Sequence, residues 1–214
     1  MVRVLMTGFE PFDGASANPS WEAARLVAEE PPPGTEVSPL LLPCVFGDCL
    51  RVLDDAVERT APDLVLCTGQ AAGRSGLTVE RIAVNVDDAR LPDNAGRQPV
   101  DRPVVPGGPA AYFATLPVKA CTAAARAAGV PCSVSQTAGT FVCNHLFYGL
   151  MHLLSTRYPD VRGGFVHVPS LPEQVLDGAG PAMPAETAAR GLRAILTAAA
   201  TVREDIRLAA GAVH

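Results

Sequence analysis

Asp63-Leu64-Val65-Leu66-Cys67-Thr68 and Gly163-Gly164-Phe165-Val166-His167-Val168 run apolar at successive positions, without the polar alternation of a half-wet strand. Strands of this kind are covered on both faces, which is the pattern of a parallel sheet held between helices. Working outward, β-branched apolar runs at 3–7, 36–43, 78–86 and 132–137 supply further strands. Helical patterns fall between them at 19–29, 47–59, 109–128 and 141–156, and an Ala-rich helix over 185–200 closes the series. Alternation of strand and helix gives the α/β class. The expected architecture is a three-layer α/β/α sandwich with a mostly parallel twisted central sheet, and 214 residues suit one domain spanning 1–214.

Two segments are irregular. Pro31-Pro32-Pro33-Gly34 ends a helix and starts a strand. The stretch 91–109 is rich in Pro, Gly, Asn and Asp and is longer than most connections, as lids and interfaces are.

Composition excludes several classes of function. With 48% hydrophobic and 18% charged residues the chain is globular rather than disordered. A net charge of −5 without a Lys/Arg cluster gives no footprint for nucleic acid or an anionic membrane. The N-terminus meets Gly8, Glu10 and Pro11 before an apolar signal region develops, so a cytoplasmic location is expected. The cysteines Cys44, Cys49, Cys67, Cys121, Cys132 and Cys143 then read as free thiols, and neither they nor the histidines have zinc-site spacing.

Chemistry concentrates in Gly139-Thr140-Phe141-Val142-Cys143-Asn144-His145, which joins a strand to a helix and puts Thr140 at the N-cap. Cys143 then falls in the first helical turn, where free N–H groups and the helix dipole would lower a thiol pKa and receive an oxyanion. On position alone, a small buried apolar residue is the favoured reading of this cysteine. A cysteine nucleophile requires a base, and His167, near the C-terminal edge of its strand, stands where open parallel sheets form active sites. A satisfied core histidine is the competing reading. Glu80 is the odd residue of its strand, either an orienting acid or half of an edge salt bridge with Arg81; taken alone, the salt bridge is favoured.

These residues, in order, resemble the pyroglutamyl peptidase type I family, also called pyrrolidone carboxyl peptidase. The likeness covers most of the chain: Gly8-Phe9-Glu10-Pro11-Phe12 with Asn18-Pro19-Ser20, Gly69-Gln70-Ala71 with Gly73-Arg74, Glu80-Arg81, Asp87-Asp88-Ala89-Arg90, the run 137–145, and His167-Val168-Pro169. The resemblance implies a catalytic triad of Cys143, His167 and Glu80, hydrolysis of N-terminal pyroglutamyl (5-oxoproline) residues from peptides, and a homotetramer of α/β/α subunits. It implies no cofactor and no metal.

Such a substrate leads with a neutral, flat lactam, which calls for an apolar slot with a donor and an acceptor at its rim, because an unpaired buried amide costs about 1–3 kcal/mol. Phe9 and Phe12 are candidates for the slot. By resemblance Phe141 and Val142 also line it, the Gln70 backbone bonds the lactam, and Arg90 assists the oxyanion together with the Cys143 amide. Asp13, Ala72 and Ser170 depart from the family pattern, and the pocket rim is where they would act. The rivals are another hydrolase or a nucleoside phosphorylase on a similar sheet, and a catalytically dead scaffold. A phosphorylase would need phosphate and tolerate loss of Cys143.

Overall fold

β1 (Val2–Phe9) and β2 (Thr35–Leu42) pair in parallel, joined through α1 (Pro19–Glu29). After α2 (Asp48–Thr60), β3 (Leu64–Gln70) pairs in parallel with the other edge of β1. The chain continues through β4 (Leu77–Glu80), β5 (Ile82–Val84), β6 (Ala111–Phe113), α3 (Val118–Ala127), β7 (Cys132–Ser135), α4 (Val142–Arg157), β8 (Arg162–Val168) and α5 (Ala185–Thr201). This computed structural model describes residues 1–178 and 180–211.

The main sheet has the order β2-β1-β3-β8-β4-β7, and β5 and β6 form a separate two-stranded ribbon. Every pairing in the main sheet is parallel except β4 with β8. The cause is the connection 71–76 between β3 and β4, far shorter than the dozen or so residues a parallel crossover takes. The chain therefore turns back, and β8 enters between the two strands.

Helices α1, α3 and α5 cover one face, where Val4, Met6, Leu66 and Val166 pack on Ala23, Cys121, Leu192 and Ile195. Helices α2 and α4 cover the other, where Leu5, Cys67 and Phe165 pack on Leu53, Leu146 and Phe147. Successive residues of β3 and β8 thus enter opposite cores, which is why both strands read as unbroken apolar runs. Fully burying each large side chain contributes about 1.5–3 kcal/mol. The expected α/β/α sandwich is the one observed.

Three local expectations are corrected. The single strand over 78–86 is two: after Glu80 the chain leaves the main sheet at Arg81, and β5 pairs with β6. The side chain of Asn144 completes the free edge of β5, accepting from Val84 N at 3.0 Å and donating to Val84 O and Val86 O. The helix over 109–128 begins only at Val118, because Pro117 disfavours helical backbone at Leu116 and 111–113 is extended in the ribbon. Thr140 is not the N-cap of α4; Phe141 is, with no side-chain cap, while Thr140 Oγ1 donates to Asp88 O.

Candidate active site

Cys143 is the second residue of α4, reached from β7 through Gly139, whose φ of +79° is the left-handed turn that aims the helix at the sheet. Backbone N–H groups of this first turn have no intrahelical acceptor. The Cys143 sulfur lies directly over Gly69 of β3, and Gly69 is the register partner of His167 on β8. Side chains of register partners share a face, so sulfur and imidazole stand on the same side of adjacent strands.

His167 is nearly fully buried and its Nδ1 lies 2.8 Å from Glu80 Oε1. Thr78, two residues before Glu80, sits opposite His167 in the antiparallel pairing, which brings the carboxylate diagonally onto the ring. A carboxylate accepts only, so Nδ1 carries the proton and Nε2 is left as the basic atom. The antiparallel pairing of β4 with β8 sets this register, with Glu80 opposite Phe165. The salt bridge expected of Glu80 is also real, but its partner is Arg74, at 2.6 Å, rather than Arg81.

The electrostatics set the resting protonation. Burial, together with the neighbouring Cys44 and Glu80, pushes the Cys143 thiol up, opposed only in part by Arg74. Desolvation of the thiolate thus acts against the lowering expected from the helix terminus. Burial holds His167 below its ordinary value against the pull of Glu80. Burial disfavours the Glu80 carboxylate as well, yet His167 first, then the Ser135 hydroxyl and Arg74, keep its pKa below the ordinary value. The resting state is a neutral thiol, a neutral imidazole and an ionised carboxylate.

A cavity of about 690 Å³ opens on Cys143. Phe9, Phe12, Gln70 and Phe141 line it, as expected, and Phe12 and Phe141 meet with ring centroids 5.3 Å apart. Two expected members stand elsewhere: Val142 is wholly buried in the core beneath α4, and Arg90 is solvent-exposed, with neither lining the cavity. The departures Asp13, Ala72 and Ser170 do line it. Ser170 Oγ and Gln174 Oε1 each accept from Gln70 Nε2 at 3.1 Å, which ties down the Gln70 side chain.

The chain 9–12 is held over the cavity by Asn18. Its Oδ1 accepts from Ser20 N at 3.1 Å, capping α1, its Nδ2 donates to Glu10 O, and Ser20 Oγ accepts from Phe9 N. The irregular segment 91–109 is pinned to the same region. Asn94 Nδ2 donates to Glu10 Oε1 and Pro11 O, and Asp93 Oδ2 accepts from Phe46 N. Cys44, Arg74 and Gln174 were assigned no role from sequence; an arginine beside glycines and a glutamine after a proline carry no periodicity that would single them out.

The pyroglutamyl peptidase family pattern matches residues 2–202. The chain belongs to the pyroglutamyl peptidase family. It is 63% identical to the pyrrolidone-carboxylate peptidase of Streptomyces coelicolor and 54% identical to that of Escherichia fergusonii, in both cases over 100% of each chain. The crystal structure of pyroglutamyl peptidase I from Bacillus amyloliquefaciens superposes with a TM-score of 0.95 at 43% identity, covering 97% of this chain and 99% of that one. A mutant pyrrolidone carboxyl peptidase from Pyrococcus furiosus gives a TM-score of 0.89 at 37% identity, over 92% and 98%. Among the described residues, no helix is long and apolar enough to cross a membrane.

Proposed function

We propose that this member of the pyroglutamyl peptidase family is a cysteine-type hydrolase that removes N-terminal pyroglutamyl residues from peptides, with Cys143 as nucleophile, His167 as general base and acid, and Glu80 as the group that orients His167. The observation that carries the assignment is the 2.8 Å contact of His167 Nδ1 with Glu80 Oε1, beside a sulfur seated over the register partner of that histidine.

The thiol proton passes to His167 Nε2 as sulfur attacks the pyroglutamyl carbonyl carbon. Charge developing on the carbonyl oxygen is received by the free N–H groups at the start of α4; a helping role for Arg90 rests on the family resemblance alone. Collapse breaks the C–N bond, and the imidazolium returns its proton to the departing amine. Water, deprotonated by His167, then attacks the thioester; the C–S bond breaks and the sulfur regains its proton. Phe9, Phe12 and Phe141 grip the lactam ring, the Gln70 backbone bonds its amide, and Val142 supports the slot from the core beneath α4. Residues 1–214 act as one catalytic domain, in the cytoplasm and as a homotetramer, which light scattering on the purified protein tests.

The deciding experiment is turnover of a pyroglutamyl fluorogenic amide against the proline and glutamate amides. The wild type cleaves the first and not the others, and Cys143→Ala folds normally and cleaves none. Undiminished turnover by Cys143→Ala overturns the assignment.

A further inference from the structure

Glu80 is fully buried, and its side chain ends in a carboxylate whose terminal torsion is intrinsically broad. Neutral His167 supplies one hydrogen bond but no countercharge. A buried carboxylate so placed needs a cation and a second fixed donor to stay both ionised and aimed. Arg74 supplies the cation and a fixed donor, beside the Ser135 hydroxyl. Its Nη1 lies 2.6 Å from Oε1, the same oxygen that accepts from His167, and also contacts Thr78 Oγ1. Its Nη2 donates to Thr137 O at 3.2 Å, in the segment that leads into α4. The guanidinium fork therefore spans β4 and the approach to the nucleophile, which a single-point ammonium could not do.

We propose that Arg74 is a positioning residue of the active site: its guanidinium fixes the Glu80 carboxylate toward His167 and ties that carboxylate to the chain carrying Cys143. This rests on the triad reading above. Arg74 does not line the cavity at Cys143. It borders a separate open pocket of about 540 Å³ between β4 and β7, so it acts through Glu80 and not on substrate. Its position follows from the short connection 71–76, which also makes β4 antiparallel. The titratable and charged groups around His167 are Glu80 on β4, Arg74 on that connection and Cys143 on α4, with Cys67 on β3 and Cys44 beyond the sulfur.

The test compares Arg74→Met, Arg74→Lys and Arg74→Ala. Loss of a nearby positive charge makes imidazolium easier to form, so in Arg74→Met the acid limb of kcat/KM moves up by about half a pH unit or more. Its kcat falls about tenfold with KM nearly unchanged, the pattern of a lost orienting partner. Arg74→Lys retains the limb position, and millimolar methylguanidinium, entering the open pocket, restores part of the activity of Arg74→Ala. An unmoved limb in Arg74→Met, or a loss confined to KM, overturns the inference. A readout without turnover separates it from the proposed function. NMR titration of His167 in Cys143→Ala shifts upward when Arg74→Met is added, and no shift overturns the role of Arg74. Failure of the wild type to cleave pyroglutamyl amides would instead overturn the function.

Discussion

The Cys143 sulfur occupies the space that a side chain on Gly69 would need: a Cβ there would lie 2.7 Å from Sγ and 2.8 Å from Phe165 Cζ. Ordinary carbon contacts are about 3.5–4.0 Å. Since Gly69 is the register partner of His167, the bare backbone at this one position is what lets the sulfur settle on the sheet face that carries the ring. Gly69→Ala is expected to lower kcat by about 100-fold, as a misplacement near 1 Å does, and to lower stability by about 1–3 kcal/mol through overpacking. Combined with Cys143→Ala, which removes the sulfur, part of the stability loss should vanish, with a coupling of about 0.5–3 kcal/mol in a double-mutant cycle. Strictly additive losses in thermal melts would show that the sulfur is not the obstructing atom.

Much of this site was legible in the sequence because its parts leave local signatures. A cysteine just after a glycine turn marks a helix start, and a histidine near the end of an apolar strand marks a sheet edge. Glu80 was harder. Its neighbour Arg81 suggested a local ion pair, whereas the pairing of β4 with β8 brings Glu80 to His167, and Arg74 reaches it from the connection before β4. The ribbon of β5 and β6 was missed because its edge is completed by the side chain of Asn144, sixty residues away in sequence. No periodicity encodes a pairing of that kind. Val142 misled because a residue beside a nucleophile is expected in the pocket, whereas one helical step turns it into the core.

Alkylation separates burial from the helix dipole as the dominant influence on Cys143. The other five thiols are buried, and burial pushes Cys44, Cys67 and Cys121 up to about 12 and Cys132 up to about 11. Cys143 is the one half-buried thiol and is also pushed up, so iodoacetamide should label it first, at a rate still rising near about pH 9 because only the thiolate reacts. Mass spectrometry of labelled peptides checks this. A labelling rate already flat below pH 7 would mean a preformed thiolate and would exclude the neutral resting pair.

Stability should fall on the acid side for a reason that can be located. The folded-state pKa of His167 lies below its ordinary 6.5, so as pH falls through that value the unfolded chain takes up a proton that the folded chain refuses. Glu80, whose folded pKa is also lowered, adds a second loss of the same sign once pH drops below its ordinary 4.5. Unfolding free energy measured by denaturant titration should therefore decline first below about pH 6.5. In His167→Gln that first decline should shrink, and the Glu80 contribution at lower pH should shrink with it, because His167 is the main influence that lowers the Glu80 pKa. An unchanged profile in the variant would assign the decline to other groups.

A second buried His–carboxylate pair supports the cavity from behind. His145 Nδ1 lies 2.8 Å from Asp87 Oδ2, and its Nε2 accepts from Gly47 N–H at 2.9 Å, so one ring joins α4 to the start of α2 and to the segment after β5. Its neighbour Phe46 packs edge-on against both His145 and Phe141, with centroids 5.3 Å apart in each case. His145→Ala would leave a buried carboxylate and a buried N–H without their partner, costing about 3–5 kcal/mol. It should also raise KM for the pyroglutamyl amide more than it lowers kcat, since Phe46 and Phe141 lose their backing while Cys143, Glu80 and His167 keep theirs. Chemical denaturation and initial-rate kinetics on the one variant measure both effects. A stability loss below about 1 kcal/mol would mean that water replaces the ring at no great cost, and a fall in kcat alone would place His145 in the chemistry instead of behind the slot.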